Sequence, residues 1–199
     1  MRSMIALVVL ALQSAPLPPA YPRPGAAKIF ENDRVVAWNI SWLKQQYPLH
    51  RHRYDLVGIY YTPGDRVIVS VEGNRRPVST KAWDSAFQLR GVTHIEEGAS
   101  DEPLRAVFLE MKEDAPRNAA VANAPDAFPR NTPRQIYDNE RVIAWELPAG
   151  ASAPHTHLRD TIIMSFTGTT PRVVAVPAGT RHADEGTGSA EHVYAFELK

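Results

Sequence analysis

The sequence predicts an all-β protein built as two tandem small antiparallel β-barrels. Three observations carry that prediction. Ten consecutive positions recur later in the chain, the apolar runs are short and broken by Gly, Pro, Asn and Asp, and no long stretch has helical period. The recurring decamer is Ile29-Phe30-Glu31-Asn32-Asp33-Arg34-Val35-Val36-Ala37-Trp38 against Ile136-Tyr137-Asp138-Asn139-Glu140-Arg141-Val142-Ile143-Ala144-Trp145, identical or chemically similar throughout. Each Trp is followed by a proline-preceded histidine pair, Pro48-Leu49-His50-Arg51-His52 and Pro154-His155-Thr156-His157, at an offset that moves only from 107 to 105. Gly91-Val92-Thr93-His94 later matches Gly179-Thr180-Arg181-His182. The chain is therefore a tandem duplication.

From the amino terminus, Met1-Arg2-Ser3, an apolar run over 4–12 and the Pro- and Ala-rich stretch 13–20 read as a secretory signal over residues 1–20, with Ala15 and Ala20 as candidate cleavage points. The run has nine residues. A spanning helix needs about 20, so no membrane span is expected in the mature protein, which is placed outside the cell or in the periplasm. Residues 28–112 form the first barrel. Its expected strands are 34–40, 56–61, 66–71 and 106–111, with a single helical turn over 80–88. Residues 113–131, rich in Ala, Pro and Asn, read as a linker. Residues 132–199 form a shortened second barrel with strands at 161–166, 172–176 and 192–198. Its third histidine follows the second by 25 positions, against 42 in the first copy, which corresponds to one lost hairpin.

Composition narrows the chemistry. With 199 residues and 44% hydrophobic content the chain has ample material for packed cores. Twenty-two Lys and Arg balance twenty-two Asp and Glu, so no long-range field draws nucleic acid or anionic lipid, and neither is expected as a partner. The chain contains no cysteine, which removes disulfides, thiolate nucleophiles and zinc fingers together. Histidine, carboxylate and hydroxyl remain. No glycine-rich phosphate loop, serine elbow or His-Glu-x-x-His helix is present, and no catalytic residue stands out.

Six of the seven histidines occupy matching places in the two copies: His50, His52 and His94, then His155, His157 and His182, with His192 alone. Alternate residues of a strand point to one face, so each His-x-His pair projects two imidazoles to the same side. A third from a distant strand completes a facial set for a divalent ion, with positions left open for water, oxygen or substrate. The competing reading is packing histidines carried through a duplication.

These residues resemble the cupins, and specifically cupins with two modules in one chain. Pro177-Ala178-Gly179-Thr180-Arg181-His182 matches the family's second motif, whereas the first copy has Leu89 in place of its proline. The resemblance implies jelly-roll barrels with a metal inside, held by His50, His52 and His94 and by His155, His157 and His182. The implied cofactor is a divalent transition metal, iron, manganese, nickel or zinc. The family's further Glu or Gln ligand falls where this chain has Leu56 and Val57, or Thr161 and Ile162. Asp55 and Asp160 lie three positions after each pair and are candidate outer partners, as are Glu97 and Glu185, three after each later histidine.

The resemblance implies a metal-dependent small-molecule enzyme of dioxygenase or isomerase type. The alternatives are a non-catalytic module binding a small ligand such as a sugar acid, or a structural pair of barrels with remnant sites. A small molecule is the expected partner, and a homo-oligomer is compatible with the sequence. Trp38 and Trp145 are assigned to packing. Arg51, Arg53, Arg159 and Arg181 surround the expected barrel mouths.

Overall fold

Residues 16–113, 134–148, 154–183 and 189–199 are described by a computed structural model, and among them every regular element is a strand. The first copy contains β1 (Ala26–Glu31), β2 (Val35–Trp42), β3 (His50–Arg51), β4 (Asp55–Tyr60), β5 (Gly64–Val69), β6 (Arg75–Thr80), β7 (Ser85–Gln88), β8 (Thr93–Gly98) and β9 (Leu104–Met111). The second contains β10 (Arg134–Asp138), β11 (Val142–Leu147), β12 (His155–Thr156), β13 (Thr161–Thr167), β14 (Thr170–Val176), β15 (Arg181–His182) and β16 (His192–Leu198).

Each copy builds a five-stranded antiparallel sheet, in the orders β1-β2-β9-β4-β7 and β10-β11-β16-β13-β14. The opposing sheet is β3-β8-β5-β6 in the first copy and only β12-β15 in the second. The lost hairpin is the reason. Where the first copy inserts β5 and β6 between β4 and β7, the second turns from β13 straight into β14 through Gly168 at φ 55°.

Side chains on the large sheets alternate with period two, and both faces are apolar. One face of the first sheet looks into its own barrel through Val36, Trp38, Ile40, Leu56, Tyr60, Leu104, Ala106 and Phe108. The other face, with Val35, Ala37, Val57, Ile59, Val107 and Leu109, packs against Val142, Ala144, Ile162, Met164, Phe166 and Phe196 of the second copy. The two large sheets therefore form the centre of the molecule. Trp83 adds to this contact, its ring stacking on His192 at 3.6 Å between centroids.

The recurring Asn-acid-Arg motif serves that contact. Asn32 Oδ1 accepts the N–H groups of Arg34 and Val35, and Asn139 Oδ1 those of Arg141 and Val142, so each asparagine shapes the turn before an interface strand. Each arginine then crosses to the other barrel: Arg34 Nη1 lies 2.8 Å from Asp160, and Arg141 Nε lies 3.0 Å from Asp55.

One expectation needs correction. The segment 80–88 contains no helical turn. Trp83 sits at φ 68° and Asp84 Oδ2 accepts the Lys81 N–H, which makes a tight turn between β6 and β7. Ahead of β1, residues 18–20 run beside β3 of the first barrel. Arg51 N–H donates to Pro18 O at 3.0 Å and Ala20 is buried. Positions 1–15 and 114–131, holding most of the expected leader and nearly all of the linker, lie outside the described residues.

Candidate metal centres

The first triad is built by two short strands and one turn. β3 pairs antiparallel with β8 so that His50 stands directly opposite His94. His52 continues along the β3 path, two residues beyond His50, and its own N–H donates to Val92 O at 2.9 Å. Gly91, at φ 80°, supplies the turn and returns its N–H to His52 O at 2.8 Å. The ring centroids of the three histidines lie 4.8 to 5.2 Å apart.

The second copy repeats this arrangement. β12 pairs with β15, placing His155 opposite His182, and Gly179, at φ 77°, donates its N–H to His157 O at 2.9 Å. Ring centroids are 4.4 to 5.0 Å apart. In each triad every histidine offers a nitrogen within 4.8 Å of the others'.

The first site suits a cation ligated by nitrogen. His50 Nδ1 donates to Pro48 O at 2.9 Å, which fixes the tautomer and leaves Nε2 with a lone pair. That Nε2 is buried with no hydrogen-bond partner. Burial and the neighbouring His94 hold His52 down to about 3, burial holds His94 down to about 4, and burial also lowers His50. Neutral imidazoles with inward lone pairs are what a divalent metal requires. In the second site His155 Nε2 and His157 Nε2 approach to 3.2 Å, and His182 Nδ1 donates to Ala183 O at 3.1 Å.

Neither triad includes a carboxylate. Leu56 occupies the inward position after the first pair and packs among the apolar interior, while Thr161 donates its hydroxyl to Arg159 O. Asp55 and Asp160 clamp the sites from outside. Asp55 Oδ1 accepts the Arg90 N–H at 2.8 Å and Asp160 Oδ1 the Ala178 N–H at 3.0 Å, each on the turn that carries the third histidine. Their second oxygens receive the interface arginines. Glu97 is turned outward on β8 and pairs with Arg75 at 2.7 Å, because alternation from His94 puts odd positions outside. Glu185 lies outside the described residues.

The inward carboxylate of β8 is Glu96, two residues after His94, and the same alternation marks it in the sequence. Burial alone would raise its pKa, but Arg23, with a nitrogen 2.9 Å away, and Arg66 at 3.8 Å outweigh that and hold it at about 2. A second buried carboxylate, Glu110, accepts the Trp38 indole N–H at 2.8 Å and is shifted upward by burial. Glu197 accepts the Trp145 indole N–H in the second copy, so both packing tryptophans also satisfy a barrel carboxylate.

The two sites differ in surroundings. All three first-barrel histidines are buried, whereas His155 and His182 are half-buried. A cavity of about 320 Å³ runs beside His182, walled by Ile163 and Val174 and lined by Ser165, Arg172, Thr180 and Arg181. At the first barrel a basin of about 550 Å³ reaches His52, rimmed by Arg51, Arg53 and Arg90.

No family model and no curated protein matches the sequence. Solved structures do. AerE from Microcystis aeruginosa is similar over 92% of this chain and 97% of its own, with a TM-score of 0.57 at 14% identity. A cupin 2 conserved barrel domain protein from Leptotrichia buccalis is similar over 87% of this chain and 88% of its own, with a TM-score of 0.50 at 14% identity. A cupin domain from Bordetella pertussis covers 47% of this chain at 26% identity and a TM-score of 0.41. With two barrels of this strand order in one chain, the protein has the cupin fold in its tandem form.

Proposed function

We propose that the protein binds one divalent transition metal in each barrel, through His50, His52 and His94 and through His155, His157 and His182, and that the second barrel is the working site. The observation that carries this is the repeated convergence of three imidazoles on one point, with a buried, unpartnered Nε2 on His50. When bound, such an ion keeps its charge and supplies Lewis acidity or oxygen activation. The chain's own residues provide the rest. Ser165, Thr180, Arg172 and Arg181 line the adjoining cavity and suit a small anionic or carbonyl-bearing molecule, with Ile163 and Val174 as its apolar wall. The proposed activity is a metal-dependent reaction of dioxygenase or isomerase type.

A second reading is favoured by one observation in the first barrel. Leu56, at the position of a further ligand, is buried among apolar side chains, which suits a binding or structural site better than a reactive one. Export is proposed from the leader-like residues 1–15. The packing of residues 18–20 on the first barrel favours cleavage at Ala15 over Ala20.

The test is metal content per chain by mass spectrometry, on protein purified without chelator, beside a His155→Ala, His157→Ala double variant. The expected result is two equivalents, falling to one in the variant. Absence of metal in both after reconstitution would overturn the proposal. With metal established, oxygen consumption and isomerisation across diketones, flavonoids and sugar acids separate enzyme from binding module.

A further inference from the structure

The interior of the first barrel is filled by the chain itself. Residues 18–23, which precede the duplicated unit, run along β3 and then turn inward. Pro18 O accepts the Arg51 N–H at 3.0 Å, and Pro19 pairs with Arg51 as a parallel bridge. Tyr21 is buried, stacks on Trp38 at 5.5 Å and meets the edge of His52 at 6.5 Å. Arg23 follows it inside.

Arg23 sits in a cage of charge and aromatic faces. Its guanidinium carbon lies 3.8 Å from the Tyr47 ring centroid, 5.3 Å from Trp42 and 5.5 Å from Tyr21. Its Nη2 is 2.9 Å from Glu96, and its side chain is 6% exposed. A delocalised planar cation over several π faces with a carboxylate at its rim is a recognition geometry for guanidinium compounds. Arg66 completes the chamber from β5, over Trp42 at 5.0 Å and Tyr60 at 5.1 Å.

The fit of Arg23 is incomplete. Its Nε, Nη1 and Nη2 are all buried with no hydrogen-bond acceptor in good geometry, the Glu96 contact being an ion pair by distance alone, so its donor set is left unmatched. Affinity here comes from charge and π faces, which any guanidinium supplies, whereas Arg66 is fixed within a sheet strand.

We propose that the first barrel is a binding site for a small guanidinium compound, occupied in this state by the chain's own Arg23. Withdrawal of residues 18–23 exposes the cage of Tyr47, Trp42 and Glu96, and the ligand then takes the place of Arg23.

The test uses the full chain with Arg23→Ala, which empties the cage and leaves both histidine triads intact. Ethylguanidinium, below denaturing concentration, is titrated by calorimetry and by thermal shift, with and without chelator so that metal loading is separated from cage binding. The expected result is binding about tenfold tighter to the variant than to the parent chain, no response to ethylurea, and loss of binding in Arg23→Ala combined with Glu96→Gln. Should Arg23→Ala fail to unfold cooperatively, Arg23→Lys, which keeps a cation but loses the planar face, is titrated instead with a smaller gain expected. An ethylguanidinium response equal to that of the parent chain in whichever variant folds would overturn the proposal.

Discussion

Replacing Asp160 with alanine removes at least two interactions that one carboxylate makes. Oδ2 lies 2.8 Å from Arg34 across the barrel interface, with the two side chains only 13% and 11% exposed, and Oδ1 accepts the Ala178 N–H at 3.0 Å. Breaking a buried pair on one side costs about 3–5 kcal/mol, and residual exposure together with Lys199 O, 3.4 Å from Arg34, brings this nearer about 2. Loss of the acceptor for Ala178 adds about 1 kcal/mol, giving about 3 kcal/mol in urea unfolding. Arg34→Met removes the cross-barrel pair and the contact with Lys199 O but keeps the Ala178 hydrogen bond, and should cost about 2 kcal/mol. The second readout is metal affinity. Asp160 holds the turn that carries His182, so Asp160→Ala should weaken the second site by about tenfold or more while Arg34→Met leaves it unchanged. Equal destabilisation by the two variants with unchanged metal affinity in both would refute the clamp.

Acid should unfold the metal-free protein in two stages. His52 and His94 sit at about 3 and 4 against 6.5, and Glu96 at about 2 against 4.5. All three are depressed, so each contributes stability that is full above its unfolded value and lost as pH falls toward its folded value. Thermal midpoints should fall from about pH 6.5 downward, with His94 alone worth about 3 kcal/mol, and Glu96→Gln should flatten only the limb below about 4.5. A flat profile between pH 6.5 and 4 would contradict the histidine burial. Gly58→Ala should be among the most destabilising small changes, above about 3 kcal/mol by urea unfolding, because a Cβ there meets the Val107 carbonyl and Phe108 ring in the central sheet. A chelator should lower the melting temperature of metal-loaded protein, and the His155→Ala, His157→Ala variant, which keeps only the first site, should show a smaller drop.

The strands at 56–61, 161–166 and 192–198 were legible because β-branched and aromatic runs ended at Gly, Pro or acidic residues, and β4, β13 and β16 follow them within a residue. Both histidine triads were legible for a simpler reason: period two sets His50 beside His52, and duplication repeats the set. Other features depend on tertiary geometry. Arg34 and Arg141 read as repeat markers, since their partners Asp160 and Asp55 become neighbours only when the large sheets face each other. Counting three residues from each histidine selects Glu97, whereas strand period selects Glu96, the carboxylate inside the barrel. Trp83 defeated the helical reading of 80–88 because nothing local announces an aromatic residue at positive φ. The burial of Arg23 just after the Pro-rich stretch has no local signal either, because it is specified by Tyr47, Trp42 and Glu96 farther along the chain.

The crossed ion pairs have a consequence for assembly. Arg34 meets Asp160 and Arg141 meets Asp55, so position i of one copy contacts position j of the other and the reverse also holds. That is the signature of an isologous, two-fold contact, the kind by which two identical subunits close on each other and stop. Here both halves belong to one polypeptide, so the self-complementary surface is consumed at an effective concentration that no second chain can match. In the present chain that face is covered within one polypeptide, so a homo-oligomer would have to use a different one.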